Sequence, residues 1–259
     1  MLIAAGAYLG VLIATNVLVI LWIVATGNDF EPRDVGDAFE KANVLVQYAD
    51  ERLAAAASDR AFPGLPQLLA DQESLRIGLL VTMLSQVGAF TIVGIMSKQT
   101  FSELWTTLGL NRFSWRGLWV PVAAVVGAYI ATIAYIVAMQ ATGIDLLTPE
   151  STVPVEITRD DLTLSVAAAA TVVGAPLSEE LFFRGFVFAG LLRWGFWPAL
   201  GVSSLAFSII HLDPGSVILF FGIGATMAWL FYRRGSLWDA IVFHFLFNFT
   251  SFALLAAGR

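Results

Sequence analysis

Leu177-Ser178-Glu179-Glu180-Leu181-Phe182-Phe183-Arg184-Gly185 decides how this sequence is read, because it sets three ionisable side chains inside an apolar run. The run extends from Leu162 to about Leu192, longer than the roughly 20 residues that carry a helix across a bilayer. Charges within such a segment are costly, and they mark either pairing or function. On a helix Glu180 and Arg184 stand four apart and share a face, so each can offset the other, whereas Glu179 lies about 100° round the axis and faces a different neighbour. The excess length predicts that part of this helix protrudes or breaks near Pro176.

Outward from this run the same composition recurs. Leu2 to Thr26, Arg76 to Met96, Leu118 to Ala141, Trp197 to Leu212, Gly215 to Tyr232 and Leu237 to Ala257 are all apolar stretches. The chain is 58% hydrophobic and 13% charged, against about 25% charged in soluble domains, so a water-soluble fold of this size could not cover its apolar surface. Continuous rather than alternating runs argue against a spanning barrel. The expected fold class is therefore all-α: a multi-pass transmembrane helical bundle of about seven to eight spans, forming a single membrane domain over residues 1–259. Leu2 to Thr26 lacks a basic n-region and is long enough to span, so residues 1–26 read as a retained N-terminal transmembrane helix, with Gly6 and Gly10 as a small-residue pair open to close helix approach.

Residues 28–73 form the one long polar segment, with ten acidic side chains against Arg33, Lys41, Arg52 and Arg60. Asp37 to Ala57 reads as an amphipathic helix in an extramembrane connector, ended by Phe62-Pro63-Gly64-Leu65-Pro66. With the N-terminus inside, the inner loops hold Lys98, Arg112, Arg116, Arg193, Arg233 and Arg234, and the short outer loops hold only Arg159, which is the cytoplasmic cation bias of membrane proteins. The expected location is an integral protein of a prokaryotic plasma membrane, in contact with lipid. A net charge of −6 without a basic arm argues against a nucleic-acid partner. The absence of cysteine excludes disulfides and thiolate metal ligands.

The chain has two histidines, His211 and His244, and both fall in apolar runs. Phe207 and His211 share a helical face, as do His244 and Asn248. Counting about 1.5 Å per residue from inner boundaries near Trp197 and Leu237 puts His211 roughly 21 Å deep, His244 roughly 10 Å and Asn248 roughly 16 Å, a band that Glu179 can share. Three helices thus offer a carboxylate, an imidazole, and an imidazole with an amide. That set suits peptide hydrolysis: a carboxylate in an apolar site acts as general base to water, one imidazole holds the water, and a second with an amide donates to the oxyanion. Each group also has a plain structural reading, with Glu180–Arg184 as an ion pair, Phe207 as packing, and a lone His or Asn as interhelical glue.

The joint pattern resembles the CAAX protease and bacteriocin-processing family of intramembrane endopeptidases. Glu179-Glu180-Leu181-Phe182-Phe183-Arg184 resembles its Glu-Glu-x-x-x-Arg motif, Phe207 to His211 its Phe-x-x-x-His motif, and His244 to Asn248 its His-x-x-x-Asn motif. The resemblance covers roughly residues 166–249, a protease core, and the N-terminal half is not diagnostic of the family. It implies Glu179 as the essential carboxylate that activates water, His211 working with it, His244 and Asn248 binding the oxyanion or scissile region, and Glu180 and Arg184 supporting the first motif. The substrate would be a peptide or protein, membrane-associated, with CAAX-type processing as one form and no prenyl group required. Glu179, His211 and His244 could instead ligate Zn²⁺ with one position left for water. The chain lacks a His-Glu-x-x-His arrangement, so metal-free chemistry is preferred. Two other functions compete: a non-catalytic scaffold or bacteriocin-immunity-type protein that uses the acidic segment as its partner surface, and a proton-coupled transporter, which the lack of matching interrupted helices disfavours.

Overall fold

In the computed structural model, residues 35–149, 151, 153–211 and 213–258 are described, with isolated positions before residue 35. Apart from those positions, the expected helix over 1–26 lies outside the described residues. Eight helices carry the described architecture: α1 (Val35–Ala57), α2 (Gln72–Ser97), α3 (Phe101–Thr107), α4 (Trp119–Thr142), α5 (Asp161–Trp194), α6 (Phe196–Ile209), α7 (Val217–Arg234) and α8 (Leu237–Ala257). No strand occurs among the described residues, and the all-α class holds. Five of these helices, α2, α4, α5, α7 and α8, are long and apolar enough to cross a membrane, and α6 is a shorter apolar helix. The molecule is an integral membrane protein.

Local sequence sets the helix ends. Asp71 accepts the backbone N–H of Glu73 to start α2, and Asp160 accepts that of Thr163 at 2.8 Å to start α5, the usual work of an N-cap carboxylate. Thr100 and Glu103 form a reciprocal capping box on α3. The Thr100 backbone N–H, and then its hydroxyl, hold the Glu103 carboxyl below its ordinary value. α7 stops at Gly235, in the left-handed region at φ 66°.

Packing follows the apolar faces. α6 packs on α7, α7 on α8, α8 on α4, and α2 on α5. Phe182, Phe183, Phe188, Phe207, Met227 and Phe243 are fully buried between them. α4 turns Val122, Val126, Ile130, Ile133 and Val137 outward, a stripe suited to acyl chains and unsuited to water.

Two expectations need correction. α5 does not break near Pro176. It runs on continuously by changing its winding, with π-helical stretches at Ala169–Gly174 and Glu180–Phe188 on either side of the α-helical turn Ala175–Glu179. The wider turn accommodates a residue with no N–H to give. His211, expected within a span, lies beyond the end of α6 at Ile209, in the turn that leads to Pro214.

The two ends of the bundle differ. At one end the α2–α4 connection crosses the α7–α8 turn at backbone distance: Leu237 N–H donates to the Leu108 carbonyl at 2.9 Å, and the Ser236 hydroxyl to the Gly109 carbonyl at 3.0 Å. Gly109, at φ 62°, leaves no room for a Cβ against the Gly235 carbonyl. Lys98, Arg112, Arg116, Arg193, Arg233 and Arg234 belong to the connections and helix termini of this end, as do exposed Trp115, Trp119, Trp194 and Trp197, the aromatic rim of a membrane interface. At the other end, the Tyr135 hydroxyl meets the carbonyls of Leu147 and Gly215, and Asp59 accepts from the Leu146 N–H.

Candidate active site

α5, the turn after α6, and α8 bring the sequence-selected groups together. Glu179, Phe207, His211, His244 and Asn248 all line one cavity of about 540 Å³. Thr82 and Gln86 of α2, Thr132 of α4 and Ser251 of α8 add to its polar wall, and Pro149, Ser151, Val153 and Ser216 also line it. The cavity therefore extends toward the end opposite the arginines.

Glu180 is fully buried and faces away from the cavity into the protein. Its Oε1 accepts Arg184 Nη1 at 2.8 Å and His244 Nδ1 at 2.9 Å. Arg184, also fully buried, donates through Nη2 to the Gly224 carbonyl at 3.2 Å and lies over the Phe207 ring at 4.4 Å. The expected Glu180–Arg184 pair is thus present, and the link to His244 is an addition the spacing could not reveal. Glu179 is half-buried, with its Oε2 buried and without a hydrogen-bond partner.

Both imidazoles are fixed through Nδ1. His211 Nδ1 lies 2.8 Å from the Phe207 carbonyl, which can only accept, so Nδ1 carries the proton. His244 Nδ1 likewise donates to the Glu180 carboxylate. Each ring therefore has Nε2 as its remaining functional nitrogen. Phe207 stands between them, its centroid 4.9 Å from that of His211 and 5.8 Å from that of His244.

Asn248 is more engaged than its motif suggested. Its amide donates to the Thr171 carbonyl at 2.8 Å, within the first π-helical stretch of α5. Gln86, which a search for ionisable residues passes over, donates to the neighbouring Ala170 carbonyl at 2.9 Å.

The donors that a zinc ion would need are present in kind, two Nε2 atoms and a carboxylate, with partners behind them that orient the rings. As placed, however, no group of three or more His, Asp or Glu among the described residues is arranged to hold a metal ion. No step below runs through a metal.

Residues 161–250 match the family described as Type II CAAX prenyl endopeptidase Rce1-like. The matched segment is about a third of the chain, and it is this segment that is similar to the CAAX endopeptidase family. A Bacillus subtilis (strain 168) protein named "Putative membrane peptidase YdiL" is 34% identical over 80 residues, 30% of this chain and 32% of that protein. The match thus spans about a third of the length of this curated relative. No solved structure matches. The family segment contains α5 to α8 up to Thr250, and so holds every residue of the three motifs, but not Gln86.

Proposed function

We propose that the chain is an intramembrane endopeptidase in which Glu179 activates water against a peptide bond held in the cavity. The observation that carries this reading is the convergence of Glu179, His211, His244 and Asn248 on one cavity with Glu180 and Arg184 behind them. Glu180 and Arg184 cancel each other's charge, which leaves the Glu179 carboxylate to be balanced. In its protonated form His244, with Glu180 on Nδ1, would supply that balance. His244 Nε2–H then becomes a donor aimed at charge that develops during attack, with the second N–H of Asn248 beside it. His211 Nε2, unprotonated in the neutral ring, accepts a hydrogen bond from the water and orients it.

In the reaction, Glu179 takes a proton from water as the oxygen bonds to the scissile carbonyl carbon. His244 and Asn248 stabilise the oxyanion. Glu179 returns the proton to the leaving nitrogen as the C–N bond breaks. The substrate is a peptide or protein segment embedded in or anchored to the membrane. The protein sits in a prokaryotic plasma membrane, with its arginine-bearing end and its N-terminus in the cytoplasm.

The test uses the full chain in lipid vesicles with a pool of quenched-fluorescent membrane peptides, read by mass spectrometry for cut sites. Wild type cleaves; Glu179→Gln loses activity by about 1000-fold or more, the scale of a lost general base with its electrostatics. Equal cleavage by Glu179→Gln would overturn the mechanism. A scaffold, in contrast, keeps its phenotype in Glu179→Gln and loses it when residues 28–73 are shortened.

A further inference from the structure

We infer that Gln86, on a helix outside the family segment, is a positioning residue that holds the Glu179 carboxylate toward the cavity; this rests on the reading of Glu179 given above. The π-helical stretch Ala169–Gly174 lies immediately before the turn that carries Glu179. In this winding the Ala175 N–H reaches back five residues to the Ala170 carbonyl. The next residue along, Pro176, would serve the Thr171 carbonyl but has no N–H. Asn248 supplies the missing donor at 2.8 Å, and Gln86 adds a donor to the Ala170 carbonyl at 2.9 Å. Two carboxamides from two flanking helices thus clamp successive carbonyls of one widened turn.

The Gln86 side chain is 8% exposed and lies against Gly174, where a Cβ would run into its amide oxygen. The absence of a side chain at 174 therefore makes room for the clamp. Its consequence is rotational. A π turn holds one residue more than an α turn, so relaxing it to α-helix moves every residue beyond it by about one α-helical step, roughly 100°. Glu179 and Glu180 are one such step apart. The clamp decides which glutamate faces the cavity and which faces His244 on α8.

The test has an arm that needs no substrate. Dicyclohexylcarbodiimide, an apolar reagent that captures a carboxyl through its transiently protonated form, is added to the full chain in phosphatidylethanolamine/phosphatidylglycerol vesicles, and adducts are mapped by peptide mass spectrometry. In wild type the adduct forms at Glu179 and not at Glu180. In Gln86→Leu, of similar volume but without the donor, the adduct at Glu179 falls at least about fivefold or passes to Glu180, as expected for a group turned by a large fraction of a helical step. In the peptide assay kcat falls by about 10- to 100-fold with little change in KM, the scale of a misplaced catalytic group. Gly174→Ala gives the same phenotype, and Gly174→Ala/Gln86→Leu is no worse than either alone, because both remove one clamp. Wild-type labelling and kcat in Gln86→Leu would overturn the inference. So would a lowered melting temperature with unchanged labelling, since that is a packing role only. Normal Gln86 dependence of labelling in a protein that cleaves nothing would instead remove the peptidase reading and leave the clamp.

Discussion

Arg184→Met removes one member of a fully buried ion pair while keeping much of its aliphatic volume. In the native protein Arg184 gives Nη1 to Glu180 at 2.8 Å, gives Nη2 to the Gly224 carbonyl at 3.2 Å, and lies over Phe207 at 4.4 Å. Both charged side chains have no solvent exposure. Taking away one partner leaves Glu180 with a desolvated charge that only His244 can meet, a defect of about 3–5 kcal/mol. That is a large part of a typical unfolding free energy of about 5–15 kcal/mol. Glu180→Gln/Arg184→Met removes both charges and should recover much of the loss, since replacing a buried pair as a whole is often near neutral. The assay is thermal unfolding of wild type, both single variants and the double variant in one detergent, combined as a double-mutant cycle. The expected coupling is about 2 kcal/mol or more, with the double variant more stable than Arg184→Met. Strict additivity, or an Arg184→Met protein as stable as wild type, would refute the view that this pair is held in a dry interior. Peptidase activity should not return in the double variant, because His244 loses its anionic partner.

Cleavage should survive 1,10-phenanthroline and EDTA, measured in the peptide assay; loss on chelation with recovery on zinc would show that Glu179, His211 and His244 move to bind metal. The Thr163 backbone N–H, then its hydroxyl, hold the Asp160 carboxyl below its ordinary value, with Arg76 assisting. Stability from this cap is therefore present above the ordinary aspartate value of about 3.9 and is lost as pH falls through the lower folded value; melting curves from pH 6 to pH 3 should show a smaller acid-side loss in Asp160→Asn. Because the chain has no cysteine, single cysteines report sidedness cleanly: Arg116→Cys should react with an impermeant maleimide only after the membrane is opened, and Asp145→Cys in intact cells. Gly109→Ala, which sets a Cβ against the Gly235 carbonyl at positive φ, should lower the melting temperature and reduce yield, read by size-exclusion chromatography.

Much of the fold was legible because apolar run length fixes spans almost alone. Leu237 to Ala257 matches α8 residue for residue, and Arg76 to Met96 falls short of α2, which runs from Gln72 to Ser97, chiefly at its start. The Glu180–Arg184 pair was legible from four-residue spacing. What spacing could not show is winding: the reading assumed one α-helical period through residues 161–194, whereas two π-helical stretches alter the phase on either side of Glu179. The position of His211 was missed because Ile209, Ile210 and Leu212 continue the apolar composition past the end of α6. Gln86 carries no charge, so the cost of burying a charge does not single it out; a neutral amide in an apolar run was the available signal. Contact between His244 and Glu180, 64 residues apart, is tertiary and has no local signature.

The cavity and the arginine–tryptophan rim occupy opposite ends of the bundle. If the cationic rim rests on the cytoplasmic leaflet, then the water that reaches Glu179 enters from outside the cell. Turnover would then follow the acidity of the surroundings rather than that of the cytoplasm, and the polar fragment of each cut chain would depart outward. Such an enzyme would act on what the cell has already sent across its membrane.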